Sequence, residues 1–573
     1  MIHSENFQAL EFVKNKYAKT IDYIYIDPPY NTDSTPILYK NGYRDSSWMS
    51  LIRDRVKVAQ KLQTETGVFT VAIDDTELHQ LFFILKQSFE NSRLSQITVV
   101  HNPKGSPTKD FNRTHEYALF VTPENVKNCI ARIMEENEKP RKMRRWGENS
   151  LRSERPLSFY PIYVKNGKII SIGEVPEDDF HPTGKNEIQQ DGSIAIWPID
   201  QNGVERRWNF GLDSIRENLN RITIIDDDGT LDLFLTHEMT IPKTVWKGGE
   251  YDAGSYGNSL LIDILGKKIF DFPKSINTMS RCVRLVTDEK KQAHILDFFA
   301  GSGTTGHAVL NLNREDNGNR KYILVEMGEY FNAVTKPRIT KIVYSPDWKD
   351  GNPLSKDKGI SHCFKYMRLE SYEDALSNVA LPDDDNLNRF TSLFGEEYLI
   401  KYMLDLDTAG SVLNLAAFND PFDYKLKVTE KNENKEVNAD LMETFNYLIG
   451  LTVNKMYARK IFSATPDPAG EYDGAVKLTG NDNGEYIFRQ IEGTLPSGER
   501  ALIIWRNITD NLLESNAALD AYFQRYRINP ADREYDVIYV NGDNNIANLK
   551  NTEETWKVRM IEPEFKAKMF EEE

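Results

Sequence analysis

Two short stretches of the chain decide its fold: His294-Ile295-Leu296-Asp297-Phe298-Phe299-Ala300-Gly301-Ser302-Gly303 and Ile24-Tyr25-Ile26-Asp27-Pro28-Pro29-Tyr30. In each, an apolar run typical of a β-strand ends in a turn that begins with an aspartate. Ligands of parallel α/β sheets bind at the carboxyl ends of the strands. We therefore predict that the two turns, 270 residues apart in sequence, face one crevice of a single sheet.

The glycine-containing turn is predicted to hold a cofactor that carries a ribose. Gly301 and Gly303 allow a sharp turn and a close approach to a ligand, and the helix predicted over Thr304–Leu312 places N–H groups at the same site. A second predicted strand, Tyr322–Val325, ends in Glu326, near the separation at which a carboxylate reaches ribose hydroxyls. No phosphate loop follows the turn, so the cofactor need not carry phosphates. A glycine turn without any ligand is the alternative.

The Asp27-Pro28-Pro29-Tyr30 turn has the groups needed to act on the exocyclic amine of a base. The amine of adenine is a poor nucleophile because its lone pair is delocalised into the ring. Asp27 and the carbonyl of Pro28 can accept both amine hydrogens and orient the nitrogen. The prolines stiffen the turn, and Tyr30 offers a ring on which an extruded base can stack. S-adenosylmethionine fits as the methyl donor. A turn that merely closes a strand is the alternative interpretation.

The motifs and their order resemble the β class of DNA amino-methyltransferases, in which the catalytic half precedes the cofactor half. Aspartate before the two prolines is the form typical of adenine N6 enzymes. Phe272-Pro273-Lys274-Ser275, Arg144-Arg145-Trp146-Gly147 and Glu443-Thr444-Phe445-Asn446-Tyr447 are similar to segments of the modification (Mod) subunit of type III restriction–modification systems. The resemblance covers nearly the whole chain.

This resemblance implies an α/β fold with a Rossmann-like, S-adenosylmethionine-dependent methyltransferase core, an inserted target-recognition domain and a mixed α+β C-terminal region. It also implies two sets of site residues. The catalytic set is Asp27, Pro28, Pro29 and Tyr30, and the cofactor-binding set is Asp297, Phe299, Gly301, Gly303, Thr304, Glu326 and Lys274. Lys274 belongs to the segment expected to help hold the methionine part of the cofactor. No metal is needed for methyl transfer.

Four regions are predicted along the chain: the catalytic half (1–125), the target-recognition insertion (126–255), the cofactor-binding half (256–345) and a C-terminal region for partner contact or DNA clamping (346–573). Trp48–Leu62 reads as an amphipathic helix, and Gly67–Ile73 as a strand. Asp74 and Asp75 are expected to cap the helix that begins at Glu77. Asp536–Val540 reads as a strand.

A basic cluster lies in the first part of the predicted insertion, although the formal net charge of the chain is −16. Neutralising DNA phosphates requires local basic surface rather than overall charge. A solvated charged face is the alternative interpretation. The residues predicted to contact DNA are Arg141, Lys142, Arg144, Arg145, Arg152 and Arg155. The insertion also holds Tyr160, Trp197 and Trp208, which we expect to form its core rather than wedges between bases.

Composition argues against a membrane protein, a secreted protein and a zinc-motif protein. The sequence has neither an apolar run of membrane length nor a signal peptide. Its three cysteines are too far apart for a zinc motif, and they favour a reducing cytoplasm. Relatives of the Mod type usually carry many residues before the catalytic half, whereas this chain opens almost directly with it. A shortened member, one piece of a split gene and a misassigned translation start are the three interpretations.

Three hypotheses about function remain open from the sequence. The first is a DNA adenine methyltransferase that acts on double-stranded DNA as a homodimer, with a separate helicase–nuclease (Res) subunit. The second is a solitary methyltransferase without a restriction partner. The third is a DNA-binding specificity protein whose catalytic half has decayed, against which the intact motifs argue. RNA and N4-cytosine substrates also remain open, and the recognised DNA sequence cannot be read from the chain.

Overall fold

A computed structural model describes residues 1–32, 44–107, 110–133, 140–227, 229–236, 240–371, 374–375, 418–430, 433–470, 472–550 and 556–569. Contacts between residues divide the chain into two compact units. The first comprises Met1–Cys129 and Thr244–Glu573, and the second is Ile130–Lys243.

The beginning of the first unit alternates strands and helices. Its elements are β1 (Ile2–His3), α1 (Asn6–Val13), β2 (Ile21–Ile26), α2 (Arg44–Leu62), β3 (Gln63–Ile73), α3 (Leu78–Ser88), β4 (Ser92–Val99) and β5 (Glu116–Pro123). The predicted helix and strand therefore lie within α2 and β3. The predicted capping of the next helix is wrong, because the residue before α3 is Glu77 and no side chain caps the helix. Asp74 and Asp75 instead form ion pairs with Arg113.

The second unit is built from short antiparallel strands. Its elements are β6 (Arg141–Lys142), β7 (Ile162–Lys165), β8 (Lys168–Ile172), β9 (Asn186–Ile188), β10 (Ile194–Ile196), α4 (Leu212–Glu217), β11 (Ile222–Asp227) and β12 (Thr230–Leu235). They form a four-stranded sheet, β8-β7-β10-β9, and a three-stranded sheet, β11-β12-β6. Tyr160, Trp197 and Trp208 are buried, as predicted. The indole of Trp208 donates to the carbonyl oxygen of Tyr160 over 2.8 Å.

After the insertion the chain returns to the first unit. Its next elements are β13 (Val245–Trp246), α5 (Leu260–Leu265), α6 (Ile276–Thr287), β14 (His294–Asp297), α7 (Thr304–Asp316), β15 (Lys321–Glu326), α8 (Thr335–Tyr344), β16 (Trp348–Lys349), β17 (Asn352–Pro353) and β18 (Met367–Arg368). Helix α7 contains the predicted Thr304–Leu312 helix.

Strands β1–β5, β13–β15 and β18 build one nine-stranded sheet in the order β13-β4-β5-β3-β2-β14-β15-β1-β18, and β16 pairs separately with β17. All its neighbouring pairs are parallel except those that involve β5, which runs antiparallel to β3 and β4. This topology confirms the predicted Rossmann-like α/β core. The sheet reaches beyond the predicted boundaries at both places, because β13 lies before residue 256 and β18 lies after residue 345.

The last part of the first unit has a second sheet. Its elements are β19 (Lys425–Glu430), β20 (Glu433–Asn438), α9 (Leu441–Leu448), β21 (Thr452–Met456), β22 (Lys460–Pro466), β23 (Val476–Gly480), β24 (Tyr486–Thr494), β25 (Arg500–Arg506), α10 (Leu512–Tyr526), β26 (Val537–Val540), β27 (Val558–Met560) and α11 (Ile561–Met569). The sheet order is β23-β22-β24-β25-β26-β27, with β21 paired to β24. The predicted strand at Asp536–Val540 is β26.

Helix α1 and the residues after it contact the C-terminal part of this unit. The ring of Phe12 stacks on Tyr447 of α9, with 4.9 Å between ring centroids. The side chains of Asn15 and Lys16 donate to the carbonyl oxygens of Leu448 and Leu451 over 2.7 and 2.6 Å. These contacts join the C-terminal sheet to α1 and the residues that follow it.

Candidate active site

The two predicted turns follow neighbouring parallel strands. Ile24 of β2 pairs with Leu296 of β14, so Asp27 and Asp297 leave the sheet side by side at its carboxyl edge. From β2 the chain goes to β3 on one side, and from β14 it goes to β15 on the other. A reversal of this kind is where open α/β sheets place their ligands. The two turns therefore lie at the same edge of one sheet, as predicted.

The turn after β2 is held from two helices. The indole N–H of Trp48, buried in α2, donates to the carbonyl oxygen of Pro29 over 2.8 Å. Asn31 adopts a positive φ of 59°, a conformation that asparagine tolerates better than most residues. Its side chain donates to the carboxylate of Glu77, which precedes α3. These contacts fix the backbone that carries Asp27 and Tyr30.

A charged cluster joins this turn to the cofactor half. The ammonium of Lys274 lies 3.1 Å from Oδ1 of Asp27 and 2.8 Å from Oε2 of Glu116, the first residue of β5. The hydroxyl of Tyr30 donates to the same Glu116 oxygen over 3.0 Å. Lys274 also contacts this hydroxyl, and its ammonium lies 4.6 Å from the centroid of the Tyr30 ring.

The environment shifts the two carboxyl groups in opposite directions. Burial raises the pKa of Asp27, Lys274 opposes this effect, and the negative charge of Glu116 adds to it. Burial also acts to raise the pKa of Glu116, but the charges of Lys274 and His101 bring that pKa below its ordinary value. The Lys274 pKa is raised because two carboxylates outweigh the burial of its ammonium. Carboxyl groups whose pKa values are pushed apart in one site are suited to different tasks.

The glycine turn is organised around Asp297. Its carboxylate accepts from the backbone N–H of Phe299 over 3.1 Å and from the Thr305 hydroxyl. Burial raises the pKa of Asp297 to about 7. Gly301 and Gly303 have φ values of 52° and 82°, a region in which most side chains are strained. These conformations turn the chain so that α7 begins at Thr304.

Glu326 lies at the end of β15 and faces the glycine turn. One carboxylate oxygen accepts from the N–H of Gly301 and the other from the N–H of Gly328, both over 2.8 Å. A carboxylate has about four acceptor positions, so capacity remains for hydroxyl groups of a ligand. The acid therefore lies where the sequence predicts a ribose partner.

Tyr330 contacts this acid, and Phe270 lies beside the glycine turn. The rings of Phe270 and Tyr330 meet edge to face at 4.9 Å, and Phe270 approaches Gly301. Met327 and Phe272 are large apolar side chains that stay exposed, at 65% and 74%. A carboxylate, backbone N–H groups and apolar surfaces together fit an adenosine group. The sequence analysis missed Phe270, Met327 and Tyr330, because nothing in their spacing separates them from core residues.

Two predicted cofactor residues have other contacts. Thr304 is buried, and its hydroxyl accepts from Arg338 over 2.8 Å, as does that of Ser302. Arg338 is fully buried, and burial lowers its pKa to about 9. The Thr304 side chain thus stabilises the glycine turn from the protein interior. Lys274 lies against Asp27 and Glu116, so in this structure its ammonium contacts the Asp-Pro-Pro-Tyr turn.

The predicted DNA-binding cluster divides into interior and surface residues. Arg144 and Arg152 are only 3% and 7% exposed. Arg144 donates to the Ile199 carbonyl, and Arg152 donates to Glu205 over 3.0 Å. The prediction that these two contact phosphates is therefore wrong, because both guanidinium groups are buried and donate to groups within the second unit. Lys142 is half-buried and lies 3.4 Å from the buried Asp232.

Three residues of the cluster remain on the surface: Arg141, Arg145 and Arg155. Burial lowers the pKa of Arg207, and the nearby charges of Arg145 and Arg155 lower it further. The half-exposed indole of Trp146 lies beneath the guanidinium of Arg206, 4.9 Å from its ring centroid. Arg145 and Arg155 therefore lie close to Arg207, whereas Arg206, which covers the Trp146 ring, is paired with Asp200.

No helix in the described ranges is both long and apolar enough to cross a bilayer. The same residues contain no group of three or more His, Cys, Asp or Glu side chains placed to hold a metal ion.

Fold and site together define an α/β core with an Asp-Pro-Pro-Tyr turn and a glycine turn on adjacent strands. The family described as DNA methylase matches residues 21–336, more than half of the chain. The chain therefore belongs to the DNA methylase family, and the resemblance stated from the sequence is confirmed.

Curated relatives are similar over about two thirds of this chain. The EcoPI Mod subunit of a type III restriction–modification enzyme from Escherichia phage P1 is 26% identical over 64% of this chain and 62% of its own length. The type II methyltransferase M.KpnI of Klebsiella pneumoniae is 29% identical over 64% of this chain and 89% of its own length. The StyLTI Mod subunit of Salmonella typhimurium is 26% identical over 62% and 59%. The matches thus span about three fifths of both Mod subunits.

Solved structures of lower identity are also similar. The complex of M1.HpyAVI with S-adenosylmethionine is 14% identical, with a TM-score of 0.29, and the match covers 59% of this chain and 99% of that one. The cytosine-N4-specific PvuII DNA methyltransferase is 12% identical, with a TM-score of 0.28 and coverage of 58% and 83%.

Proposed function

We propose that the protein transfers a methyl group from S-adenosylmethionine to the N6 amine of adenine in double-stranded DNA. The observation that carries this proposal is the pair of turns on adjacent strands β2 and β14, one ending in Asp-Pro-Pro-Tyr and the other in a glycine turn. Membership of the DNA methylase family supports it. The S-adenosylmethionine named with M1.HpyAVI is the donor whose adenosine part fits the surroundings of Glu326.

The residues of the chain divide the work. Glu326 holds the ribose hydroxyls, and the apolar side chains around Gly301 hold the adenine ring of the donor. S-adenosylmethionine supplies a methyl group on a positively charged sulfur. Tyr30 stacks on the extruded target base, and the Asp27 carboxylate accepts hydrogen from its amine, which directs the nitrogen lone pair at the methyl carbon.

The proposed transfer exchanges one bond for another and releases one proton. A nitrogen–carbon bond forms, the sulfur–carbon bond breaks with its electron pair going to sulfur, and the methylated amine loses one proton. The Asp27 carboxylate can hold that proton, because burial raises its pKa.

The surface of the second unit is proposed to contact DNA. Arg141, Arg145 and Arg155 are exposed there and can neutralise phosphates. The recognised bases are proposed to be read by residues within 160–250.

We further propose that the chain is the modification and specificity subunit of a type III-like system, acting as a homodimer with a separate helicase–nuclease. The EcoPI and StyLTI Mod relatives support this assignment. A methyltransferase that acts without such a subunit is the second candidate, favoured by the match over most of M.KpnI. Purification of the chain from its host separates them, since only the first predicts a co-purifying helicase–nuclease.

The test of methyl transfer uses tritiated S-adenosylmethionine and duplex DNA, followed by digestion to nucleosides. The wild type should label N6-methyladenine, and Asp27→Ala should abolish labelling while its cofactor binding by calorimetry persists. Label in N4-methylcytosine would refute the adenine assignment. Full labelling by Asp27→Ala would refute the mechanism.

A further inference from the structure

Two largely buried charged side chains beside the Asp-Pro-Pro-Tyr turn, Lys274 and Glu116, have no role in the chemistry proposed above. One ammonium, that of Lys274, lies within 3.1 Å of two carboxylates, Asp27 and Glu116. The side chains of Lys274 and Glu116 are 14% and 8% exposed, so water screens the cluster poorly. Opposite charges at this separation decide which protonation state a carboxyl group adopts.

The backbone that carries Lys274 is fixed on several sides. The hydroxyl of Ser275 and the amide of Asn277 both donate to the carbonyl oxygen of Glu250, over 3.1 and 2.9 Å. Gly257 packs against the preceding Pro273, and a Cβ atom at Gly257 would lie 2.3 Å from the Pro273 carbonyl oxygen. The ammonium is therefore presented to Asp27 by a rigid segment.

Glu116 is fixed by the sheet. It is paired with Val99 at the start of β5, and it receives the Tyr30 hydroxyl and the Lys274 ammonium on one oxygen. It thus holds both side chains that flank Asp27.

We propose that Lys274 is a positioning residue that keeps Asp27 ionised and aimed at the target amine, and that Glu116 is the buried counterion that fixes Lys274. This inference rests on the proposed methyl transfer. It assigns the only lysine of the Phe-Pro-Lys-Ser segment to the acceptor side of the reaction rather than to the cofactor.

The protonation of Asp27 responds to all the groups around it. Lys274 favours the carboxylate, whereas burial and Glu116 favour the protonated form. The remaining titratable groups that interact with Asp27 come from β2 and its turn, from β14 and from the segment after β15: Tyr25, Tyr30, Asp297 and Tyr330. Asp27 must be ionised to accept hydrogen from the amine. The rate should therefore fall as pH drops through the Asp27 pKa.

Opposite shifts are expected from neutralising the two partners of Asp27. Lys274→Met removes the cation, so the acidic limb of the pH–rate profile should move to higher pH, with kcat at neutral pH lowered about a hundredfold. Glu116→Gln removes the neighbouring anion, so the acidic limb should move to lower pH, while kcat also falls because the ammonium then pairs with Asp27 alone. Lys274→Arg should restore the wild-type limb.

Cofactor affinity separates this role from the alternative. The dissociation constant for S-adenosylmethionine, measured by calorimetry, should change less than about threefold in Lys274→Met. A matched control is Lys268→Met, because Lys268 is an exposed lysine six residues before Lys274. Weakened cofactor binding with an unmoved pH profile would overturn the proposal and return Lys274 to the cofactor.

A measurement that does not need turnover keeps the inference separate from the proposed function. The infrared carboxyl band of Asp27, isolated as the difference between each protein and its Asp27→Asn counterpart, gives the Asp27 titration midpoint directly. That midpoint should rise in Lys274→Met and fall in Glu116→Gln, whether or not the protein methylates adenine. Coincident midpoints in all three proteins would overturn the proposal, whereas absent methylation with shifted midpoints would overturn only the proposed function.

Discussion

Replacement of Glu326 by alanine is the sharpest test of the cofactor site. Its carboxylate accepts from the N–H groups of Gly301 and Gly328, each over 2.8 Å, which orients it toward the predicted ribose. Hydrogen bonds to charged groups contribute roughly 1.5–3 kcal/mol. Because the side chain is half-exposed, the lower part of this range applies, and a loss of about 2 kcal/mol corresponds to about a thirtyfold rise in Kd.

Calorimetric titration of the purified proteins with S-adenosylmethionine measures this change directly. Glu326→Gln keeps one acceptor oxygen and the size of the side chain, but it places an N–H₂ group against a backbone donor, so its Kd should lie between those of the other two proteins. Glu329→Ala, at an exposed acid nearby, is the matched control and should bind normally. An unchanged Kd in Glu326→Ala would refute the ribose assignment.

The other predictions concern DNA contact, base stacking and protein stability. Replacing Arg145 and Arg155 together with alanine should weaken DNA binding for all sequences, and the slope of log K against log salt should decrease by about 2, measured by fluorescence anisotropy. Tyr30→Ala should lower kcat/KM by the loss of about 1–3 kcal/mol of stacking, and Tyr30→Phe should retain most of it in the tritium assay. Asp297, with a pKa raised to about 7, binds more protons in the folded state, so its contribution to stability is complete below pH 3.8 and is lost as pH rises through about 7. Denaturant unfolding should therefore show that the free energy of unfolding of the wild type, relative to Asp297→Asn, decreases between about pH 4 and about pH 7 and changes little above that.

Each of these predictions has a control and a contrary result. Arg152→Ala should destabilise the second unit without changing the salt slope, since Arg152 is buried against Glu205. An unchanged slope in the Arg145 and Arg155 double variant would remove the phosphate contacts. Equal losses in Tyr30→Ala and Tyr30→Phe would mean that the hydroxyl matters more than the ring. A constant difference across pH would contradict the raised pKa of Asp297.

The two turns could be found from the sequence because their chemistry is local. An apolar run followed by Asp-Pro-Pro-Tyr, or by two glycines, indicates a strand and a turn within ten residues, and both are present. Strands β2 and β14 and helices α2 and α7 lie where the patterns predict them. Glu326 is predicted from its distance in sequence after Gly303, and that distance is set by α7, which lies between them.

Side-chain burial could not be found in the same way. Arg144, Arg145, Arg152 and Arg155 are the same residue type within a short stretch, yet only Arg145 and Arg155 are exposed. Whether each arginine is buried depends on which carbonyl and carboxylate groups the fold of the second unit places beside it. The groups concerned, such as those of Ile199 and Glu205, lie more than fifty residues away in sequence.

The sequence by itself therefore determined the α/β class and the positions of the two turns that follow β2 and β14, because these depend on neighbours along the chain. Only the tertiary structure decided that Glu116 joins the site. The start of a strand normally lies at the edge of the sheet opposite the ligands. Because β5 alone runs antiparallel to its neighbours, its first residue reaches the catalytic edge, where it meets Lys274 and Tyr30 from distant parts of the chain.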